Sequence, residues 1–343
     1  MTGPDTTPAS HVPLDLSIVP LDLSIVPLDL SIVIVNWNTE VLLRGCLASL
    51  PAACGALAHE TLVVDNASRD GSAALVRREF PRAVLLEAGA NLGFSRGNNL
   101  ALPHCRGAHV LLLNPDTVCP PGSLEKLVAF ARGRTQLGAV APLLTDADGR
   151  PTITWGWFPR PRHHWLGFLD PGRRLGGAFW GERVVHVPRR DEPSREVDYV
   201  AGACLLMPRE ALAAVGPLDE RFFMYFEETD WCRRARALGL SVWYCAECEV
   251  VHLEGRAAAT VSAFSLRQFQ LSYRLFLRKH HGGARERETR LAQFCEYGLK
   301  SLLRRLAALR GGAGRERDRA LARQFADRAR LQLVSRLDVR PPA

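Results

Sequence analysis

Segments typical of strands and of helices alternate through the first part of the chain, and this alternation limits the possible folds more than any other feature. Short β-branched runs predict strands at 31–36, 61–65, 83–87 and 109–113. Amphipathic stretches predict helices at about 39–50 and 71–79, from near Asn98, and at about 122–132. Such alternation predicts an α/β fold in which helices cover a mostly parallel sheet.

Polar residues follow the predicted strands. Asn36, Asp65, Asn91 and Asp116 each lie at, or just beyond, the end of a strand. In a parallel sheet these ends share one edge, and ligands bind in the crevice outside it. The glycines of loop 89–97 do not follow the Gly-x-Gly-x-x-Gly pattern of dinucleotide-binding proteins, which argues against a nicotinamide enzyme.

Three acidic residues begin a helix predicted at about 227–238. Glu227, Glu228 and Asp230 follow the aromatic run 222–226. Apolar rings restrict the hydration of a neighbouring carboxyl group, and this raises its pKa toward the range of a general base. Acidic residues in a first turn also stabilise a helix through its dipole, so the segment alone leaves both interpretations open.

Asp116 directly follows a buried strand, within the segment NPD. Mg²⁺ commonly takes one or two protein carboxylates and completes its shell with phosphate oxygens and water. His252 ends a later strand and supports such a site only if it lies near Asp116. Cys245, Cys248 and His252 resemble half of a zinc site, but a second ligand pair is missing. The two cysteines are also expected on opposite faces of a regular strand.

The formal net charge of +8 is unevenly distributed. Residues 265–343 contain 19 Lys and Arg against 7 Asp and Glu, a net charge of +12, which leaves −4 for residues 1–264. This basic part predicts helices at 265–281, 286–310 and 315–337. One side of the second helix carries Leu299, Leu302, Leu303, Leu306 and Leu309. That pattern suits a membrane surface, and equally packing against the rest of the chain or a partner helix. A nucleic-acid partner is not expected, because no recognition module is present.

A tandem repeat and the cysteine content bear on domain organisation and compartment. PLDLSIV occurs three times, at 13–19, 20–26 and 27–33. Only the third copy continues into a β-branched run, so we expect the first strand there. The predicted divisions are a repetitive leader at 1–29, a main domain at 30–281 and a basic helical region at 282–343. Nine scattered cysteines predict reduced thiols in a cytoplasmic protein.

Seven short segments, in this order and spacing, resemble a family-2 glycosyltransferase with the GT-A fold, from the bacterial rhamnosyltransferase-like branch. They are SIVIVNWN, VVDNASRDGS, NLGFSRGNN, LLLNPDT, AGACLLMPREAL, GPLDERFFMYFEETDWCRRA and VVHLEG. The resemblance covers residues 30–281. It implies a Rossmann-like nucleotide-sugar-binding domain, here with a C-terminal helical appendage.

The resemblance implies roles in binding the sugar donor. Asn36, Trp37 and Asp65 would line the nucleotide pocket. Asn98 occupies a position where many relatives have Arg or Lys near the nucleotide. Asp116 matches the last acid of the metal-binding DxD motif, which is reduced here to NPD.

The resemblance also implies a metal ligand and a general base. His252 matches a histidine that completes the metal site, with Asp116, in some relatives. Glu228 matches the general base, which is usually Asp in the motif EDxD. Since Glu is longer by one methylene, Glu227 and Asp230 stay open as alternative bases.

The activity implied is an inverting sugar transfer that depends on a divalent cation, Mg²⁺ or Mn²⁺. The donor would be a nucleotide-diphosphate sugar, with dTDP-rhamnose and UDP-sugars as candidates. The acceptor would be a hydroxyl of a cell-surface glycan or of a lipid-linked precursor at the inner face of the membrane. The alternative is a catalytically silent nucleotide-sugar-binding or scaffold protein, which the reduced metal motif would also suit.

Overall fold

The computed structural model describes residues 28–160, 185–253, 263–309 and 314–334. Of the predicted leader, only the last two residues fall within these ranges, so the leader itself lies outside the described part. The third repeat copy enters the first strand, Leu28–Asn36. The expectation that this copy forms a strand is therefore confirmed.

Eleven strands occur in the described ranges. In chain order, β1 to β11 are Leu28–Asn36, His59–Asp65, Val84–Glu87, Gly107–Leu113, Thr117–Val118, Leu137–Thr145, Trp155–Gly156, Arg195–Glu196, Tyr199–Val200, Cys204–Pro208 and Ser241–His252. The helices α1 to α8 are Glu40–Cys54, Ser72–Glu79, Gly93–Ala101, Ser123–Arg132, Arg209–Val215, Glu227–Ala237, Ala263–Leu309 and Arg315–Leu331. A short 3₁₀ turn, Leu102–His104, follows α3.

Most of these strands form one mixed sheet in the order β3-β2-β1-β4-β10-β6-β11-β5, with β8 beside β11. β1 pairs in parallel with both β2 and β4, and β6 pairs in parallel with β11. β10 runs antiparallel between β4 and β6. The predicted α/β architecture with C-terminal helices is confirmed. The sheet is mixed rather than mostly parallel, because four of its strand pairings are parallel and four are antiparallel.

Apolar layers cover both faces of the sheet, as parallel strands require. Alternate residues of β1 show this arrangement. Ile32 and Ile34 pack with Leu43 of α1 on one face, while Val33 packs on the other face with Trp231 of α6. The sheet is thus fixed between two helical layers, and its strand ends hold polar loops in defined positions.

Three local predictions were wrong. The apolar segment 197–206 predicts a single strand but is divided into β9 and β10, and α3 begins at Gly93 rather than near Asn98. A β-bulge between Cys245 and Glu249 alters the side-chain alternation of β11, so Cys245 and Cys248 both enter the same core layer rather than opposite faces.

The C-terminal helices pack beside the main sheet domain. α7 is broken at Gly282, whose φ of 83° is left-handed. This agrees with the predicted break at residues 282–283. The last helix ends at Leu331, earlier than the predicted 337. Within the described ranges, no helix is both long enough and apolar enough to span a bilayer.

Candidate active site

A cavity of about 410 Å³ opens at the carboxyl edge of the sheet. Its polar lining comes from the turn after β4, the first turn of α6 and the end of β11: Asn114, Asp116, Glu227, Glu228, Thr229 and His252. Aromatic side chains from the run before α6, and Phe269 of α7, form much of the remaining wall. The cavity therefore combines acidic groups with an imidazole in a largely apolar recess.

Asp116 and His252 lie side by side in this cavity. His252 Nε2 is 3.2 Å from Oδ1 of Asp116. The backbone fixes the pair, because Leu253 N donates a hydrogen bond of 2.8 Å to the carbonyl oxygen of Asp116. Asn114 completes the group, with its Nδ2 3.5 Å from His252 Nε2. The sequence condition for a shared site, that His252 lie near Asp116, is met.

A strained turn directs the acidic pair. Tyr225 and Phe226 both have left-handed backbones, with φ values of 71° and 68°. Such a conformation costs a residue other than glycine roughly 1–2 kcal/mol. Phe226 offsets this cost by packing against Phe269, Tyr273 and Phe276 of α7, at centroid distances of 5.1, 5.4 and 5.9 Å.

The turn ends where α6 begins, so Glu227 and Glu228 occupy the first helical turn and line the cavity. Strain that persists because surrounding packing holds it is a frequent property of functional sites. Here the strain serves to aim two adjacent carboxyl groups at one recess.

Burial raises the pKa of both carboxyl groups. For Glu227 the nearby charge of Glu228 adds to the effect, so its pKa lies well above the ordinary range. Oε2 of Glu227 has no hydrogen-bond partner among the described residues. Burial also raises the pKa of Glu228, while a hydrogen bond from Thr229 opposes this shift. The pair therefore holds one proton more readily than two isolated glutamates would.

Asp230 lies away from the cavity, in a cluster of cationic side chains. Its Oδ2 is 3.0 Å from Arg234 Nε, and its Oδ1 is 2.6 Å from Lys279 Nζ and 2.7 Å from His280 Nε2. Burial alone would raise the pKa of Asp230, but the hydrogen bonds from His280 and Lys279 lower it. Oδ2 is thus engaged within α6, while Oδ1 joins α6 to α7.

The residues predicted to bind the nucleotide lie on the neighbouring strand ends. Asn36 Nδ2 contacts Asp65 Oδ1 at 3.4 Å and donates to Ser68 Oγ at 3.1 Å. Trp37, beside them, is 51% exposed. Asn98 is buried in α3, where its Nδ2 donates to the carbonyl of Phe94 at 2.9 Å. None of these four predicted residues lines the cavity that holds Asp116 and Glu228.

Two asparagines of the site were missed in the sequence. Asn114 lies in the cavity beside His252, and Asn66 is buried next to Asp65. Asn66 Nδ2 donates to the carbonyl of Gly93 at 3.0 Å, while its Oδ1 has no partner within the described ranges. Their positions, directly after a buried strand and within a polar turn, were the available signal.

The side chains around Asp116 fit a divalent cation that brings some of its own ligands. Asp116 Oδ1 and His252 Nε2 are close enough to share one ion and face an open cavity. Among the described residues, no group of three or more His, Cys, Asp and Glu forms a cage. A carboxylate and an imidazole leave most of a metal's coordination shell for phosphate oxygens and water.

Sequence comparisons identify the family. A profile described as "Glycosyltransferase like family 2" matches residues 27–270. N-acetylglucosaminyl-diphospho-decaprenol L-rhamnosyltransferase of Mycobacterium tuberculosis H37Rv is 30% identical over 237 residues, which cover 65% of this chain and 75% of that protein. Low-salt glycan biosynthesis hexosyltransferase Agl10 of Haloferax volcanii is 25% identical over 223 residues, which cover 64% of this chain and 65% of that protein.

Solved structures share the fold. The mannosyltransferase PcManGT of Pyrobaculum calidifontis, in complex with GDP-Man and Mn²⁺, aligns with a TM-score of 0.51 at 15% identity, over 90% of this chain and 87% of that one. GalNAc-T7 with UDP, GalNAc and Mn²⁺ also aligns with a TM-score of 0.51, at 14% identity, over 92% of this chain and 59% of that one. Both are GT-A glycosyltransferases. With the profile matching most of its length and the fold in agreement, this chain is an enzyme of glycosyltransferase family 2.

Proposed function

We propose that the chain transfers a sugar from a nucleotide-diphosphate donor to an acceptor hydroxyl, with inversion at the anomeric carbon. One observation carries this proposal: a single cavity holds Asp116 with His252 and, from another element, Glu228. The first pair suits a cation-bound diphosphate, and the carboxyl group suits proton removal from the acceptor.

We propose that Asp116 and His252 hold a divalent cation, Mg²⁺ or Mn²⁺. Such a cation, when bound, offsets negative charge on the departing nucleoside diphosphate. The fit of the two side chains supports this assignment, and PcManGT and GalNAc-T7 were solved with Mn²⁺. Asn36 and Asp65, together with exposed Trp37, would contact the nucleoside on the adjoining strand ends.

Glu228 is the proposed general base. Its carboxylate accepts the proton of the acceptor hydroxyl while that oxygen attacks the anomeric carbon from the face opposite the diphosphate. One carbon–oxygen bond forms as the other breaks, and the diphosphate leaves with the bonding electron pair. Glu227 stays protonated beside Glu228, since its pKa is raised further. A single displacement needs no covalent nucleophile.

The proposed substrates follow from the named relatives. One relative is named as an L-rhamnosyltransferase, so dTDP-rhamnose is the first donor to test, followed by UDP-sugars. The acceptor in the name of this relative, N-acetylglucosaminyl-diphospho-decaprenol, is lipid-linked, so we propose a lipid-linked glycan acceptor here. The nine cysteines are free thiols, which suits a reducing compartment. This agrees with sugar transfer at the inner face of the membrane.

Thermal unfolding with a panel of nucleotide sugars tests the donor class. A donor that binds only the folded chain raises its stability by mass action, by about 2.7 kcal/mol at a hundredfold excess over Kd. We expect dTDP-rhamnose or a UDP-sugar, with Mn²⁺, to raise Tm more than the matching nucleoside monophosphate does. Equal shifts for every nucleotide, with no transfer product, would contradict the proposal.

A further inference from the structure

The segment of α7 after Gly282 exposes a row of large apolar side chains. Leu291, Phe294, Leu302, Leu306 and Leu309 are between 38% and 78% exposed. With Gly298 they recur at intervals of three and four residues, which places them on one face of a helix. We call these five side chains the apolar row. It extends from Leu291 to Leu309, a rise of about 27 Å.

The apolar row lies to one side of the face of α7 that packs on α8. That packed face includes Ser301, whose Oγ donates to the carbonyl of Ala322, and Arg304, which pairs with Asp318. The row therefore stays partly exposed beside α8, from 38% for Phe294 to 78% for Leu309. A contiguous exposed apolar surface of this length marks an interaction site.

The charges around the apolar row select its partner. Arg287 precedes the row by one helical turn, and Arg305 lies within it. Neither guanidinium has a carboxylate partner in the described part of the chain. From 287 to 309 the acidic residues are Glu288, which pairs with Arg285, and Glu296, which is buried and paired with Lys300. Exposed leucines beside unneutralised arginines complement an anionic lipid surface.

Contacts within α7 show which way the apolar row points. Arg274 Nε, before the break at Gly282, is 2.8 Å from Glu286 Oε1, after it. Farther along, Gln332 bridges the two segments, because its Nε2 donates to Gln270 Oε1 and its carbonyl oxygen accepts from Arg290 Nε. Since lower numbers on one segment meet higher numbers on the other, the second segment runs back antiparallel to the first.

This return carries the apolar row past the level of the active-site cavity. Phe269, which lines the cavity, directly precedes Gln270, which Gln332 joins to Arg290. Leu291 follows Arg290 directly, so the row begins near this level and extends about 28 Å beyond it, to Leu309.

We propose that the apolar row docks on an anionic bilayer and holds the cavity mouth near the lipid surface. The choice of an anionic bilayer as the partner rests on the exposed apolar side chains of the row and the arginines beside them. The benefit to catalysis, access to a lipid-linked acceptor, rests on the proposed function. Docking without catalysis and catalysis without docking are separately measurable.

Vesicle sedimentation with the full chain, without donor or acceptor, tests the docking. Wild type should bind phosphatidylglycerol–phosphatidylcholine vesicles, and the variant Leu302→Gln/Leu306→Gln should lose roughly tenfold or more in partitioning. Arg287→Gln and Arg305→Gln should each lower binding on the order of fivefold, only for the anionic vesicles. Val41→Gln is the matched control, because Val41 is 78% exposed on α1 and should leave binding unchanged.

Circular dichroism of each variant verifies folding. Equal vesicle binding by wild type and Leu302→Gln/Leu306→Gln would overturn the proposal, as would wild type that binds no vesicle. Light scattering tests the other possible occupant of the apolar row, a second copy of the chain. If wild type is a dimer, the double variant is a monomer and neither binds vesicles, the proposal is also overturned. Vesicle binding that survives when no transfer activity is found would reject the proposed function and retain the docking.

Discussion

His252 Nε2 lies 3.2 Å from Asp116 Oδ1, across the antiparallel contact between the end of β11 and the short strand β5. A fixed carboxylate–imidazole pair can hold two positions of a cation's shell but cannot enclose it. The pair therefore suits a metal that arrives with, or is completed by, a diphosphate.

The first prediction is that metal binding depends on the nucleotide. Titration of the wild-type chain with Mn²⁺, followed by electron paramagnetic resonance, should show weak binding alone and at least tenfold tighter binding with the donor's nucleoside diphosphate, after correction for metal bound to free nucleotide. Asp116→Ala and His252→Ala should each abolish the enhancement. Tight binding of Mn²⁺ without nucleotide, or enhancement that survives in both variants, would contradict the assignment.

The second prediction concerns pH. Burial raises the pKa of Glu228, and a general base acts only when deprotonated. The value of kcat/KM should therefore fall as pH decreases through that raised pKa, at a pH above the ordinary glutamate value of about 4.3. The variant His252→Gln removes the imidazole. A fall of kcat/KM at low pH that persists in this variant therefore belongs to the carboxyl group. If kcat/KM in this variant fell only at the ordinary glutamate pKa, the cavity would not raise the pKa of Glu228, which would contradict the account.

The third prediction separates the structural role of Asp230 from the catalytic role of Glu228, two residues earlier in the chain. Asp230→Asn leaves Lys279 and His280 facing a neutral group, and breaking such a buried pair costs about 3 kcal/mol or more. Its urea midpoint should fall clearly, whereas that of Glu228→Gln should hardly change. Unchanged stability together with lost transfer in Asp230→Asn would instead make Asp230 the base.

The fourth prediction uses two glycines with similar backbones. Gly93 has a φ of 77°, and a Cβ there would lie 2.4 Å from the carbonyl oxygen of Phe223. Gly89 has a φ of 70° with open space around it. Gly89→Ala should cost about 1 kcal/mol of unfolding free energy from conformation alone. Gly93→Ala should cost more and should also lower kcat, because it displaces the turn that directs Glu228. Equal effects on stability and activity would refute this coupling.

The fold was largely predictable because strand and helix periods alternate cleanly through β4. β6 was missed: Pro142 interrupts its pattern, although this residue is accommodated opposite the irregular part of β11. The proximity of Asp116 to His252 was stated only as a condition, since sequence spacing alone does not bring residues 136 positions apart together. The motif resemblance favoured Glu228 as the base but left Glu227 and Asp230 open as alternatives. Packing distinguishes them, by burying Asp230 among cations from a helix that is distant in sequence.

The most direct test of the account compares transfer by Glu228→Gln and Glu227→Gln. Sugar transfer from the identified donor should fall by about 10²–10⁴-fold in Glu228→Gln, because the amide cannot accept the proton. Glu227→Gln resembles the protonated neighbour and should stay within about tenfold of wild type, since a tenfold change corresponds to only 1.36 kcal/mol. Both variants should retain donor binding in the thermal assay. Wild-type transfer by Glu228→Gln, or loss confined to Glu227→Gln, would contradict the central claim.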